Sequence, residues 1–150
     1  MDDIDRSLLE ALIDDARLSY QQLADQVHLS SNSTAERVRR LRQSGVLAGY
    51  HAEIDLAKLG YTLHSLTDAK LKDAIDRFDF ERDLRNVPQI LNAVHTTGEF
   101  DYQLRIVSSS TNELESVGDI LRQMGARDIQ SRIVLGETKY NSARLLYGKL

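Results

Sequence analysis

Residues 19–45 constrain the fold most, because their pattern predicts two short helices joined by a tight turn. The first helix begins after the N-cap Ser19, the second begins after the N-cap Ser30, and Gly45 ends the second. Apolar residues recur at helical spacing on one face of each helix: Leu23 and Val27 in the first, and Ala35, Val38 and Leu41 in the second. The second helix opens with small polar side chains and then carries four arginines: Arg37, Arg39, Arg40 and Arg42. This composition is typical of a DNA-reading helix-turn-helix, in which small side chains approach base edges and arginines reach bases or phosphates.

The flanking residues complete an N-terminal domain and then change character. Residues 2–16 predict a further helix, because apolar side chains recur every three or four positions: Ile4, Leu8, Leu9, Leu12 and Ile13. Residues 46–55 alternate roughly and predict a strand, and residues 56–60 predict a short turn or helical piece. We therefore predict a helix-turn-helix (winged-helix-like) domain over 1–50, a linker strand or hinge over 51–60, and a second domain over 61–150.

The second domain alternates strand and helix signals. The pattern predicts strands over 62–72, 90–97, 100–107 and 129–135, with helices over 78–87 and 111–124. This βαββαβ order indicates an α+β fold that ends in a ferredoxin-like sandwich, in which two helices cover one face of the sheet. The other sheet face is left open, and we expect it to bind a partner.

Composition excludes several classes of protein. The chain has no cysteine, which excludes disulfides and thiolate chemistry, and its four histidines (28, 51, 64 and 95) match no metal spacing. We find no phosphate-binding glycine loop and no catalytic pairing of carboxylates, so we predict no enzyme activity, no cofactor and no metal. No apolar run is long enough for a membrane span and the acidic start does not suit a signal peptide, so we expect a cytoplasmic protein.

Charge is distributed unevenly in the predicted DNA-binding part. The chain sums to −4, and its first 45 residues contain six arginines against eight acidic residues. Four of those arginines lie between positions 37 and 42, so a basic face on a slightly acidic domain is expected. Such a domain binds DNA with modest affinity, which favours several domains acting together.

Short motifs along nearly the whole chain resemble the Lrp/AsnC family of bacterial and archaeal regulators. They are Ile4-Asp5-Arg6-Ser7-Leu8-Leu9, Asp15-Ala16-Arg17-Leu18-Ser19, Leu29-Ser30, Glu36-Arg37-Val38-Arg39-Arg40-Leu41, Gly45-Val46-Leu47-Ala48-Gly49-Tyr50 and Thr97-Gly98-Glu99-Phe100-Asp101-Tyr102. Each is weak alone, but their order and spacing are highly specific. The resemblance implies an N-terminal helix-turn-helix and a C-terminal effector-binding domain. It also implies dimers that pair through their sheets, assembly into tetramers or octamers, and control by a small amino acid.

The resemblance assigns DNA contacts to individual residues. It places base-edge contacts on Asn32, Ser33, Thr34 and Arg37. It places phosphate contacts on Arg17, Ser30, Arg39 and Arg40. The alternative from the residues alone is that the arginines solvate a helix face and pair with Glu36 at helical spacing.

The resemblance also assigns the effector site. It places effector contacts on Gly98, Glu99, Phe100, Asp101 and Tyr102, with Gln130 and Ser131 on the last strand selecting the effector side chain. Glycine allows close approach of a ligand, and a carboxylate can meet an ammonium group. The alternative is a plain hairpin with Phe100 and Tyr102 in the core.

Three residues depart from the family pattern. Ser31 stands where proline is frequent, His28 stands where glycine is frequent, and Glu99 replaces the commoner aspartate. A left-handed backbone at His28 would be strained.

We therefore predict a transcriptional regulator that binds double-stranded DNA as a homodimer or larger assembly. A small amino acid bound between dimers would alter the assembly or the DNA binding, and the protein would be cytoplasmic and associated with the bacterial or archaeal nucleoid. One alternative is an architectural DNA-binding protein with little effector control. Another is an amino-acid-sensing oligomerisation module that acts on a protein partner, which the acidic first helix favours.

Overall fold

The computed structural model describes residues 1–148, which form two compact units. The first unit contains Met1–Glu53 and the chain from Thr138 onward, and the second contains Ile54–Glu137. The sequence pattern placed residues 138–150 with the second domain, whereas the described part of this segment packs against the first helix of the first unit. The spacing of apolar residues does not predict this contact, because polar side chains of the segment bind α1.

Three helices build the first unit at the positions expected from the sequence: α1 (Asp3–Asp14), α2 (Tyr20–Val27) and α3 (Ser31–Gln43). Each begins at a cap, since Asp2, Ser19 and Ser30 accept hydrogen bonds from first-turn backbone N–H groups. The apolar faces meet in a cluster of buried side chains: Leu8, Leu12, Leu23 and Val38. Burial of each stabilises the unit by about 1.5–3 kcal/mol, so this cluster fixes α3 against α1 and α2.

The turn between α2 and α3 is tight because His28 adopts the left-handed backbone conformation, with φ 54° and ψ 44°. The N–H of Leu29 donates to the carbonyl of Ala24 at 3.0 Å and closes the end of α2. A residue with a Cβ atom is strained in this conformation by about 1–2 kcal/mol. His28, which stands where the family frequently has glycine, therefore has the strained left-handed backbone considered in the sequence analysis.

The strand predicted over residues 46–55, as a linker able to pair with a neighbour, does not form within the single chain. These residues contain only the turn that ends α3 and irregular chain, and the described part of the first unit has no strand, hence no wing. Alternating polarity is insufficient by itself, because a strand forms only where a neighbouring strand supplies hydrogen bonds. The short helical piece expected next is confirmed as a 3-10 helix, Leu56–Leu59, in the second unit.

The second unit has the predicted βαββαβ order. Its strands are β1 (Leu63–Leu71), β2 (Ile90–His95), β3 (Tyr102–Ser108) and β4 (Ala126–Ile133), and its helices are α4 (Arg77–Leu84) and α5 (Thr111–Gln123). The strands form one antiparallel sheet in the order β2-β3-β1-β4, which is the ferredoxin-like arrangement. Strand β3 begins two residues later than predicted, because the chain still bends through 98–101.

The register separates the two faces of this sheet. Ala69 lies opposite Tyr102 and Thr67 lies opposite Leu104, and these residues are buried on the face that the helices cover. The other face, which we call the open face, carries the alternate residues of the strands: His64, Leu66, Asp68, Gln103, Arg105, Gln130 and Arg132. Among residues 1–148, no helix has the length and apolar character to cross a membrane.

Candidate functional site

The start of α3 presents small polar side chains to solvent. Ser30 caps the helix, since its Oγ accepts the N–H of Ser33 at 3.2 Å and its hydroxyl donates to Ser33 Oγ at 2.9 Å. Asn32 and Ser33 are exposed in the first turn, because Val38 and Leu41 turn the opposite side of α3 into the core. Most of the predicted DNA-contacting residues lie at exposed positions: Arg17, Ser30, Asn32, Ser33, Arg39 and Arg40.

Thr34 differs from that expectation, because its side chain is wholly buried. It lies on the same helical face as Val38 and Leu41, one turn before Val38, and its Oγ1 has no hydrogen-bond partner. A side chain with no exposed surface does not reach a base edge without unfolding the helix. Thr34 therefore belongs to the core of the first unit.

Arg37, a predicted base contact, is engaged in ion pairs within the first unit. Its Nη1 donates to Asp2 Oδ2 and to Asp5 Oδ1, each at 2.8 Å, and its side chain is only 22% exposed. Hydrogen bonds from Arg37 to the Asp2 and Asp5 carboxylates raise the pKa of Arg37. The Asp5 backbone N–H and the Arg37 guanidinium lower the pKa of Asp2. The pairs join the start of α1 to the middle of α3, so Arg37 holds α3 against α1.

Two other arginines of α3, Arg39 and Arg42, contact side chains of the first unit. Arg39 pairs with Glu36 one helical turn away, as the solvated-face interpretation expected. Arg42 lies over the ring of Tyr50, with 5.4 Å between its guanidinium carbon and the ring centroid. A surface concavity of about 560 Å³ beside α3 is lined by Tyr20, Asn32, Glu36, Arg39, Arg42 and Tyr50, among others. Sequence reasoning did not assign Tyr20, Arg42 or Tyr50, although aromatic residues beside a basic helix are a recognisable signal.

The Gly98–Tyr102 turn connects β2 to β3 and contains a glycine with a positive φ angle. Gly98 has φ 116°, a conformation that favours glycine, and no neighbouring atom lies within 4 Å of the point that a Cβ atom would occupy. Asp101 holds the end of β1, since its N–H donates to the Ala69 carbonyl at 3.0 Å and its Oδ2 accepts the Leu71 N–H at 2.7 Å. Glu99 is exposed. Asp101 is thus a structural residue of this turn as well as a candidate ligand contact.

The two aromatic residues of the turn differ in exposure. Phe100 is half-buried, whereas Tyr102 is 1% exposed and donates its hydroxyl to Glu81 Oε1 at 2.7 Å. Burial, together with the Glu81 carboxylate, raises the pKa of Tyr102 far above its usual value. The hairpin interpretation therefore holds for Tyr102, whose ring packs against Phe80 in the core.

A cavity of about 240 Å³ lies beside this turn. Its lining brings together residues from separate elements: the charged Lys72, Asp73, Arg77 and Asp101, with His95, Leu71, Ile75 and Tyr102. Sequence reasoning missed Lys72, Asp73 and Arg77, because nothing local marks the β1–α4 connection as a neighbour of residues 98–102. Mixed charges around a small cavity suit a zwitterion.

Gln130 and Ser131 do not lie together with this turn. The strand β1 separates β4 from β3, which places one strand and about 10 Å between them. Ser131 shares a hydrogen bond of 2.9 Å with Thr67 on the helix-covered face, whereas Gln130 lies on the open face. Among the described residues, no group of three or more His, Cys, Asp or Glu side chains is placed to hold a metal ion.

Comparison with known proteins identifies both units. A family model described as the AsnC-type helix-turn-helix domain matches residues 1–42, and one described as the Lrp/AsnC ligand binding domain matches residues 69–144. The chain is 36% identical over 109 residues to the Bkd operon transcriptional regulator of Pseudomonas aeruginosa, covering 71% of each chain. It is 33% identical over 123 residues to the HTH-type transcriptional regulator LrpC of Bacillus subtilis, covering 82% of this chain and 83% of that protein.

Solved structures show the same likeness over almost the whole chain. A transcriptional regulator from Neisseria meningitidis, crystallised in complex with L-Met, superposes with a TM-score of 0.86 at 27% identity and 95% coverage of both chains. The structure of LrpC from Bacillus subtilis superposes with a TM-score of 0.82 at 30% identity, covering 93% of this chain and 97% of that one.

Proposed function

The chain belongs to the Lrp/AsnC family of transcriptional regulators and is not an enzyme, and from this premise we propose how it reads DNA and what controls it. We propose that α3 lies in the major groove, with Asn32 and Ser33 at base edges. Arg17, Ser30, Arg39 and Arg40 contact phosphates. The observation that carries this assignment is the exposure of Asn32 and Ser33 at the capped start of α3, while Thr34 is buried behind them.

Two residues leave the base-contact set in this proposal. Thr34 supports α3 from the core, and Arg37 holds α3 against α1 through its pairs with Asp2 and Asp5. Both act on DNA binding through the placement of Asn32 and Ser33.

Binding of the full-length protein to the DNA upstream of its own gene tests the assignment. Fluorescence anisotropy compares wild type with Asn32→Ala, Arg40→Ala and a control, Gln43→Ala, at the exposed last position of α3. Loss of a base contact costs about 1–3 kcal/mol and relaxes specificity at one base pair, whereas loss of a phosphate contact lowers the salt slope by about one. Wild-type affinity of both Asn32→Ala and Arg40→Ala would contradict the proposal.

We further propose that the protein works as a homodimer formed through the open face, which assembles into tetramers or octamers. Two first units of a dimer then read half-sites about 34 Å apart, or a multiple of that distance. The protein acts in the cytoplasm on the nucleoid. Sedimentation velocity measures the assembly, and a strict monomer at micromolar concentration would refute this part.

For the effector, we propose a small amino acid held beside Gly98–Tyr102, between dimers. The 240 Å³ cavity supports this, because Arg77 and Lys72 offer cations for a carboxylate while Asp73 and Asp101 offer anions for an ammonium group. A relative of the same fold is known in complex with L-Met. Gln130 and Ser131 enter the site only from a neighbouring copy, since they lie apart from the turn within one chain.

Calorimetric titration with each of the twenty amino acids, starting with L-methionine, tests the effector. Arg77→Gln is compared with Arg82→Gln, an arginine on the same helix that lies outside the cavity and pairs with Asp79. We expect Arg77→Gln to lose binding and Arg82→Gln to retain it. Absence of heat with all twenty amino acids, or equal loss in both variants, would contradict the proposal.

A further inference from the structure

The acidic charge of the first unit is reduced by residues 138–148, which we call the C-terminal segment. Residues 1–53 contain nine acidic residues and six arginines, a formal charge of −3. Residues 138–148 add two cations and no acid, so the described unit has a formal charge of −1. Most of the acidic charge of the N-terminal domain, seen in the sequence, is therefore offset in the folded unit.

Two hydrogen bonds hold the C-terminal segment on α1. Asn141 Nδ2 donates to Asp14 Oδ1 at 3.0 Å, and the Tyr147 hydroxyl donates to Glu10 Oε2 at 3.2 Å. Glu10 and Asp14 are one helical turn apart, so both donors meet the same face of α1. The segment thus contacts two carboxylates of α1, both of which remain exposed to solvent.

Polar side chains of the C-terminal segment contact the rest of the first unit, and its apolar residues Ala143 and Leu146 are half-buried. Lys139 pairs with Glu53, while Leu145 is 81% exposed and Tyr140 is 73% exposed. Polar and ionic contacts at a surface are weak and are screened by salt, whereas buried apolar area is not. The segment is therefore able to detach while the three-helix core stays folded.

We propose that the C-terminal segment is a working part of the DNA-binding unit. Docked on α1, it keeps Lys139 and Arg144 beside the unit, where their two positive charges offset part of the acidic charge that would repel DNA. This inference rests on the proposed DNA binding by α3. Release of the segment lowers affinity for all DNA sequences alike, most strongly at low salt, because the effect is electrostatic.

A matched pair of variants of the full-length chain separates docking from charge. Asn141→Asp retains the oxygen that accepts the N–H of Ala143 and caps the 3-10 helix Ser142–Leu145, but it sets a carboxylate against Asp14. Ser142→Asp makes the same change in charge at the adjacent exposed position. Tyr147→Phe removes the second hydrogen bond without any change in charge.

Two readouts are measured on each variant: the rate at which trypsin cleaves after Arg144, and the Kd for specific and random DNA at low and high salt. For Asn141→Asp we expect faster cleavage and a Kd raised roughly threefold to tenfold at low salt on both DNAs. Tyr147→Phe should raise the cleavage rate and the Kd by smaller factors than Asn141→Asp does. For Ser142→Asp, both quantities should stay within about twofold of wild type. The proposal is overturned if Asn141→Asp is cleaved no faster than wild type, or is cleaved faster but binds DNA with an unchanged Kd. It is also overturned if Asn141→Asp and Ser142→Asp lose DNA affinity equally.

Arg40→Ala, measured alongside, distinguishes failure of this proposal from failure of the proposed DNA binding. If Arg40→Ala binds DNA as wild type does, the proposed use of α3 fails. If Arg40→Ala weakens binding and Asn141→Asp does not, only the role of the C-terminal segment fails.

Discussion

Replacing Thr34 by valine should stabilise the first unit and leave DNA binding unchanged. Thr34 Oγ1 is buried without a hydrogen-bond partner, and such a hydroxyl costs about 1–3 kcal/mol. Valine has nearly the same shape and a similar helix propensity, so the substitution removes this cost without opening a cavity. We expect a gain of about 1 kcal/mol, which raises the melting temperature of a unit of this size by about 4–8 °C.

Circular dichroism melting and anisotropy on operator DNA measure the two expectations for Thr34→Val. Thr34→Ser is the matched control, because it retains the hydroxyl and loses the methyl group, and it should lose about 1 kcal/mol. A variant Thr34→Val with wild-type stability and clearly weaker specific binding would refute the burial argument and restore the predicted base contact. A lower melting temperature would show that the hydroxyl has a partner.

Three further substitutions test the structure. His28→Gly should stabilise the first unit by about 0.5–1 kcal/mol in thermal melts, because glycine takes the left-handed turn without strain, and a loss would argue against that turn. Gly125→Ala should destabilise the second unit by about 2–4 kcal/mol in urea titration. The added Cβ atom would lie 2.4 Å from Ile75 Cγ1, and alanine is strained at the φ of 112° that Gly125 adopts. An unchanged free energy of unfolding would contradict this packing. The backbone N–H of Asp5 and the Arg37 guanidinium lower the pKa of Asp2 in the folded protein. The ionised Asp2 carboxylate therefore stabilises the fold at pH values above its pKa in the unfolded chain, near 3.8. This stabilisation is lost as the pH falls through the lower pKa of Asp2 in the folded protein. Asp2→Asn should flatten this acid dependence in melts between about pH 5 and 2, and an unchanged pH profile would exclude the pairing.

Local patterns in the sequence were sufficient for most of the secondary structure. The caps at Ser19 and Ser30 and the apolar spacing predicted α2 and α3, because capping and helical periodicity depend on residues a few positions apart. The strand and helix signals predicted the βαββαβ order for the same reason. The strand predicted over residues 46–55 failed, since strand formation depends on a partner that a local pattern does not contain.

The sequence by itself determined the three helices, the ferredoxin-like order of the second unit and the family, because each is recorded in short-range spacing and in motif order. Only the tertiary structure decided which residues of α3 face solvent, since the burial of Thr34 depends on how α3 packs against α1 and α2. It also decided the partner of Arg37, whose acceptor Asp5 lies 32 residues away, and the docking of Asn141 on Asp14, 127 residues away. Contacts between residues so far apart depend on the path of the whole chain, which no local pattern records.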